Sequence, residues 1–246
     1  MGQCLVTRLK EVVNDSSLLR LGEKTFLLLP NGKVTIRTYE NMPIRVVGEG
    51  SLYVDSAKLT EGEIPKGNYI TIQNAENYSI VVALNKFESL DVFSTNDSFS
   101  QQMEIDLSFF SKANRMRELN LSDEKIVGGT LKDLAKISES TTLTGFSMKE
   151  SIGLKGSILD IKDLNYYDSV FPNFRFCQEV TGEIIDFVKA QRAKGRTSAN
   201  IAAGYHLQDT KITFNGQLAT TIDENQPKAI SWTATTITIG SVTINA

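Results

Sequence analysis

The chain has 246 residues and a mass of 27.2 kDa, enough for one elongated domain or two to three small ones around a sizeable core. Its net charge is −3 and its pI near 5.4, with Lys and Arg interleaved among Asp and Glu, so no basic stripe follows a phosphate backbone and nucleic acid is not an expected partner. Two cysteines, Cys4 and Cys177, give neither a disulfide framework nor a metal spacing, and no stretch approaches the roughly 18 apolar residues of a membrane span, so membrane insertion is not expected either.

Residues 1–20 set Leu5, Leu9, Val12 and Val13 among charges without a clean helical or strand period. Two readings stand side by side: an attachment segment that orders against a partner through these four residues, or an edge strand or short helix of the domain that follows. Met1-Gly2-Gln3-Cys4 runs directly into Arg8, Lys10 and Glu11, which predicts no secretory leader. Val6 stands where a myristoylation motif wants a hydroxyl, so lipidation is not expected.

Residues 21–86 turn β in character. Phe26–Leu29, Val34–Tyr39, Ile44–Val47, Ser51–Val54, Tyr69–Ile72 and Tyr78–Ala83 are short, β-branched or aromatic, and separated by turn residues, as in a small sandwich or partly open barrel. Pro30-Asn31-Gly32-Lys33 predicts a hairpin, because Asn-Gly tolerates the positive φ angles of a type I′ turn.

Residues 87–195 repeat. Asp106, Asp133, Asp160 and Asp186 stand 27, 27 and 26 residues apart in similar apolar frames, and Gly129, Gly156 and Gly182 precede the last three by four positions. Gln102 holds that place in the first unit, as in an atypical terminal repeat. A period of roughly 20–29 residues with Leu, Ile and Phe at fixed offsets predicts a leucine-rich-repeat solenoid, each unit giving one strand and an irregular or helical return. Each Asp is expected to cap a turn or helix start; the calcium alternative lacks the Gly-rich context that would gather several oxygens around an ion. Ile184–Ala193 reads as a helix with cations toward its end and Gly195 as its stop.

Residues 196–246 return to β, with an Asn215-Gly216 turn and a nearly strict Thr/Ile alternation after Ile230, plausible as the far cap of the repeats or a sheet that meets another subunit. The predicted fold class is α+β and β-rich: an N-terminal β-sandwich or barrel, a central leucine-rich-repeat-like solenoid and a C-terminal β cap.

Candidate chemistry is sparse. His206 is the single histidine and Cys177 the only cysteine in a predicted strand, and neither has a recognisable catalytic partner. Gly128-Gly129-Thr130 lacks the Lys-Ser/Thr of a phosphate loop, and the acidic pairs Asp123-Glu124 and Asp223-Glu224 lie in loops where adjacency alone implies no acid–base role. The expectation is a non-enzyme with no catalytic, cofactor-binding or metal residue.

Three stretches carry a resemblance: Leu5–Lys10 with Asn14–Leu18 and Leu21–Glu23; the Gly-x-Leu/Ile-x-Asp units; and Ala190–Thr197 with Ile212–Gly216 and Ser231–Thr235. Together they resemble virion structural proteins of phages of gut Bacteroidales, including crAss-like phages. The resemblance implies a head or tail fibre or capsid decoration, assembled in the host cytoplasm and located in the virion. It would bind capsid or tail proteins of the same particle, form homo-oligomers and contact a host-surface glycan or protein. The alternative is a cellular leucine-rich-repeat adhesin or protein-interaction module.

Overall fold

The computed structural model describes residues 16–95, 100–201, 206–222 and 230–246. The first part of the chain forms β1 (Lys24–Leu28), β2 (Lys33–Thr38), β3 (Met42–Val47), β4 (Leu52–Val54), β5 (Ala57–Leu59), β6 (Glu61–Ile64), β7 (Ile70–Asn74), β8 (Ile80–Leu84), β9 (Leu90–Ser94) and β10 (Met103–Asp106). β10-β1-β8-β3-β6 pair antiparallel in one sheet, and β9-β2-β7-β4-β5 in a second. Strict alternation explains the layers: Val34 and Ile36 of β2, Ile70 and Ile72 of β7, and Phe26 and Leu28 of β1 are all buried in the core between them. Phe26, Phe87, Phe93, Phe109 and Phe110 meet there edge to face, with ring centroids 4.8–5.7 Å apart.

The next units extend both sheets. β11 (Glu118–Asn120) and β13 (Gly145–Ser147) add parallel to β9 in the second sheet, while β12 (Lys125–Gly128) adds parallel to β10 in the first. Each is so short that it carries a single deeply buried side chain, Leu119, Ile126 or Phe146. β14 (Gly156–Ser157) and β15 (Val180–Glu183) begin a third sheet, which β17 (Lys211–Phe214) continues in parallel and β18 (Gln217–Leu218) closes. Helix α1 (Ile184–Ala193) is followed by Gly195 at φ +90°, the span and stop its pattern predicts. The fourth sheet, all antiparallel, is β16 (Ala199–Ile201), β19 (Ile230–Trp232), β20 (Thr236–Ile239) and β21 (Val242–Asn245). Arg192 of α1 ties it down, donating to the carbonyls of Thr233 at 2.9 Å, Thr236 at 2.8 Å and Ala246.

The expected α+β architecture with a leucine-rich-repeat solenoid over residues 87–195 does not form. Helical residues make up 14% of the chain and α1 is the one α-helix among the described residues, so the molecule is mostly β, with sandwich-like sheets. The reason is local: each repeat unit is spaced for two short strands, and from β9 to β12 these go to opposite sheets that already begin in the N-terminal segment. The main apolar cluster accordingly runs unbroken from Phe26 to Ile239.

Two Asn-Gly pairs show how context overrides a turn signal. Asn215 and Gly216, at φ 52° and 79°, close the β17–β18 hairpin with a two-residue turn. Asn31-Gly32 closes none, because β1 and β2 belong to different sheets and the turn carries the chain across the core.

The periodic residues explain the stacking. Successive 3-10 turns at Leu107–Phe110, Leu131–Leu134 and Ile158–Ile161 pack on one another. The Asp106 carboxylate accepts from Ser108 N at 2.8 Å; those of Asp133 and Asp160 accept from Thr130 N and Ser157 N, each at 2.9 Å; Asp186 sits in the first turn of α1, whose cap is Glu183. Gly182, at φ +124°, lies where a Cβ would come within 2.7 Å of Ile158 Cγ1 and 2.8 Å of Ser157 Oγ. Gly182→Ala is therefore expected to cost roughly 2–4 kcal/mol in urea unfolding, through a lower midpoint at unchanged slope. Asp133→Ala, which removes a cap and no volume conflict, is expected to cost about 1 kcal/mol.

Candidate functional site

The outer face of the seven-stranded sheet β13-β11-β9-β2-β7-β4-β5 presents the most organised set of exposed side chains. Alternation puts Thr35 and Arg37 of β2, Thr71 and Gln73 of β7, and Tyr53 of β4 on this side, opposite the buried aliphatics. Tyr53, Asp55, Ser56, Thr71 and Gln73 line a polar depression of about 400 Å³. Tyr69 stands beside them, 58% exposed.

Asp91 is the hub of this face. Between Arg37 and Thr38 the β2–β9 register shifts, Arg37 pairing with Val92 and Thr38 with Leu90, so Asp91 is the extra residue of a bulge. The bulge aims a fully buried carboxylate at a crowd of donors. Arg117 binds it in a two-pronged fashion, Nε to Oδ1 and Nη2 to Oδ2, both at 2.6 Å. Arg37 Nε lies 2.8 Å from Oδ2, and the Tyr39 hydroxyl donates to Oδ1 at 3.0 Å. These groups hold others in turn: Arg37 Nη1 donates to the Tyr69 hydroxyl at 3.0 Å, and the Arg115 guanidinium lies 4.2 Å over the Tyr39 ring. Three guanidiniums and two phenols are thereby fixed in place around one carboxylate. Hydrogen bonding to Asp91 pushes the Arg117 pKa up, and burial, then Asp91, raises that of the Tyr39 phenol.

The residues singled out in the sequence fall elsewhere. Leu5, Leu9, Val12 and Val13 lie outside the described residues, as does the Asp223-Glu224 pair. Gly129, Gly156, Gly182, Asp106, Asp133 and Asp160 serve the stacked turns, Asp186 lies in the first turn of α1 where Glu183 takes the capping place expected of it, and Asp123 sits at φ 64° in a turn. The Cys177 thiol is buried, donates to the Met148 carbonyl at 2.8 Å and has its pKa pushed up to about 12 by desolvation, which keeps the nucleophilic thiolate out of reach at neutral pH. His206 is half-buried, its pKa lowered by burial, and its backbone carbonyl accepts from Phe174 N at 2.9 Å. Among the described residues no three His, Cys, Asp or Glu side chains gather as a metal site requires.

Glu124, which the sequence offered only as half of an acidic pair in a loop, is another buried carboxyl. Its Oε2 accepts from Gln102 N at 2.9 Å and Met103 N at 2.7 Å, bracing the start of β10, while desolvation pushes its pKa up to about 7. Neither Asp91 nor Glu124 has a sequence signal, because each is defined by partners more than 20 residues away.

No protein-family model, no curated protein and no solved structure matches this chain. The site therefore rests on its own geometry.

Two outcomes are expected. Asp91→Ala leaves Arg37 and Arg117 without their shared carboxylate and should destabilise the fold by on the order of 3 kcal/mol in chemical denaturation, with Tyr69 losing its anchor. Glu124 keeps its proton in the folded chain up to about pH 7, whereas an unfolded chain releases it near 4.5, so the folded state binds the extra proton in between. Its contribution to stability thus falls as pH rises through that window, by on the order of 3 kcal/mol, and is level above it. Glu124→Gln should gain on the wild type from pH 4.5 to 7, as urea unfolding of both proteins across that range would read.

Proposed function

We propose that this chain is a non-enzymatic structural component of a phage particle, a head or tail fibre or capsid decoration, that displays the Asp91-centred sheet face as an adhesive contact. The observation that carries the contact reading is the preorganisation of Arg37, Arg115, Arg117, Tyr39 and Tyr69. Arg and Tyr are the residue types that concentrate binding energy in interfaces, and a side chain already immobilised loses little entropy when a partner arrives. The broad, polar, shallow form of the face suits a protein or glycan surface better than a small molecule, which is held in a deeper and more apolar cleft. The resemblance of the Leu5–Lys10, Gly-x-Leu/Ile-x-Asp and Ala190–Thr197 stretches to virion proteins supports the particle setting, with residues 1–20 as the docking segment.

Sedimentation of the purified chain with empty particles tests this reading. Co-sedimentation is expected, and deletion of residues 1–15 should abolish it. Arg115→Ala with Tyr69→Ala should leave particle docking intact while lowering attachment to host cells about tenfold or more. A chain that stays in the supernatant at every concentration, or that is detected on bacterial surfaces without infection, overturns the proposal.

A further inference from the structure

Among the described residues no strand pairs with the outer edge of β21, and it lacks the charges that β5 and β6 carry at the ends of the two large sheets. β5 carries Lys58, ion-paired with Glu76 at 3.6 Å, and β6 carries Glu61 and Glu63, with Glu61 bound to Arg20. Charges of this kind discourage a second strand from docking. From Ala229 to Ala246 the sequence has no charged residue, and β21 itself reads Val242-Thr243-Ile244-Asn245, without Pro or Gly.

The apolar stripe of this sheet also runs off its edge. Ile230, Trp232, Ile237 and Ile239 are buried, and their cross-strand neighbours on β21 continue the same face. Ile237 pairs with Ile244 and Ile239 with Val242, yet Ile244 is only partly buried and Val242 is 39% exposed. A further strand carrying apolar residues at two alternate positions would cover both.

The backbone fixes which residues of β21 offer their groups to such a strand, and the apolar side chains favour one register among those it allows. Ala246 N donates to Thr235 O at 3.0 Å, which marks that pair as hydrogen-bonded. By alternation Ile244 and Val242 turn their backbone groups toward β20, and Thr243 and Asn245 turn theirs outward. An antiparallel copy of β21 centred on Thr243 meets these groups with its own: Thr243 faces Thr243 across a two-fold axis, and Asn245 faces Ser241. The same register sets Val242 opposite Ile244 on the apolar side. A register one residue away would put apolar residues opposite polar ones and leave outward N–H groups facing none. The Thr238–Thr243 hydroxyl contact, 2.9 Å across β20–β21, continues on the other face as a four-threonine row spanning both copies.

We infer that two copies of this chain join through β21, antiparallel and centred on Thr243, to make one continuous eight-stranded sheet about a two-fold axis. This deepens the assembly reading above and rests on it. A contact of so few residues is small, so the pair forms at high chain concentration, or where a particle holds copies side by side.

Disulfide trapping in a Cys4→Ser background tests the register. Facing Cα atoms of a hydrogen-bonded antiparallel pair lie about 5.5 Å apart, within disulfide reach. Thr238 and its symmetry mate are three strand spacings, roughly 14 Å, apart. Thr243→Cys is expected to give a covalent dimer at least tenfold faster than Thr238→Cys under mild oxidation. Light scattering on the wild type at rising concentration should climb from 27.2 kDa toward twice that mass. Thr243→Pro, which removes an outward N–H and no internal backbone bond, and Val242→Lys should each hold the mass at the monomer value with unchanged far-ultraviolet circular dichroism. Equal trapping at 243 and 238, or a wild type that stays monomeric up to several hundred micromolar, overturns the inference. A monomer that still co-sediments with particles overturns the edge pairing alone; a β21-dependent dimer that does not co-sediment overturns the virion reading alone.

Discussion

The short strands that follow β10 depend on how closely one repeating turn settles on the turn before it. The strands β11 to β14 are two to four residues long, so none carries enough apolar surface to hold its own place. Their position comes instead from the 3-10 turns, where Leu131 and Ile158 are buried and the chain of the next unit passes directly over them. At Gly156 a Cβ would stand 2.9 Å from Leu131 N, and at Gly182 the next contact is closer still. Absence of a side chain at these two positions lets the layers close, and the Asp caps orient each turn so that its apolar residue points into the core. The Phe26–Phe93–Phe109 cluster then acts as the anvil on which the first layer is laid.

Asp91 and Glu124 show how the same fold resolves the same desolvation problem in opposite ways. Asp91 meets Arg37, Arg117 and Tyr39, so its charge is matched by several charge-assisted bonds and the network holds side chains rigid at the surface. Glu124 meets two backbone N–H groups and the Thr95 hydroxyl, with no cation among these partners, and neutral donors alone do not repay the loss of water around a full charge. It holds its proton up to about pH 7. The first arrangement fixes Arg and Tyr side chains on one sheet face, while the second braces β10 against the turn at Asp123.

What the sequence disclosed follows from the range of the interactions involved. Local patterns were legible: the alternation of β2 and β7, the β17–β18 turn, and α1 with its glycine stop depend on neighbours a few residues apart. The repeat was legible as a period, but not the layer to which each half-unit goes. A short run with one inward apolar residue, such as Glu118-Leu119-Asn120, fits a leucine-rich repeat and a sandwich edge equally well, and only pairing with β9 decides. The Asp91 site was illegible for the same reason, since its bulge, two arginines and a tyrosine come from separate strands and loops, and an Arg in a strand reads as ordinary solvated charge.

The surface that gathers Arg37, Tyr69 and Arg115 and the edge offered by β21 share no residue and belong to different sheets. Contact through the first uses side chains standing out of a sheet, and contact through the second uses backbone groups lying in the plane of another. Binding at one therefore takes nothing away from the other, whereas a single patch serving both roles would force a copy to choose between neighbour and target. The proposed role as a particle component would draw on that independence, with copies held in register while a face stays free. The division of labour follows from two elementary features, a bulge that turns one carboxylate toward its donors and a strand whose outward amides carry no charged guard.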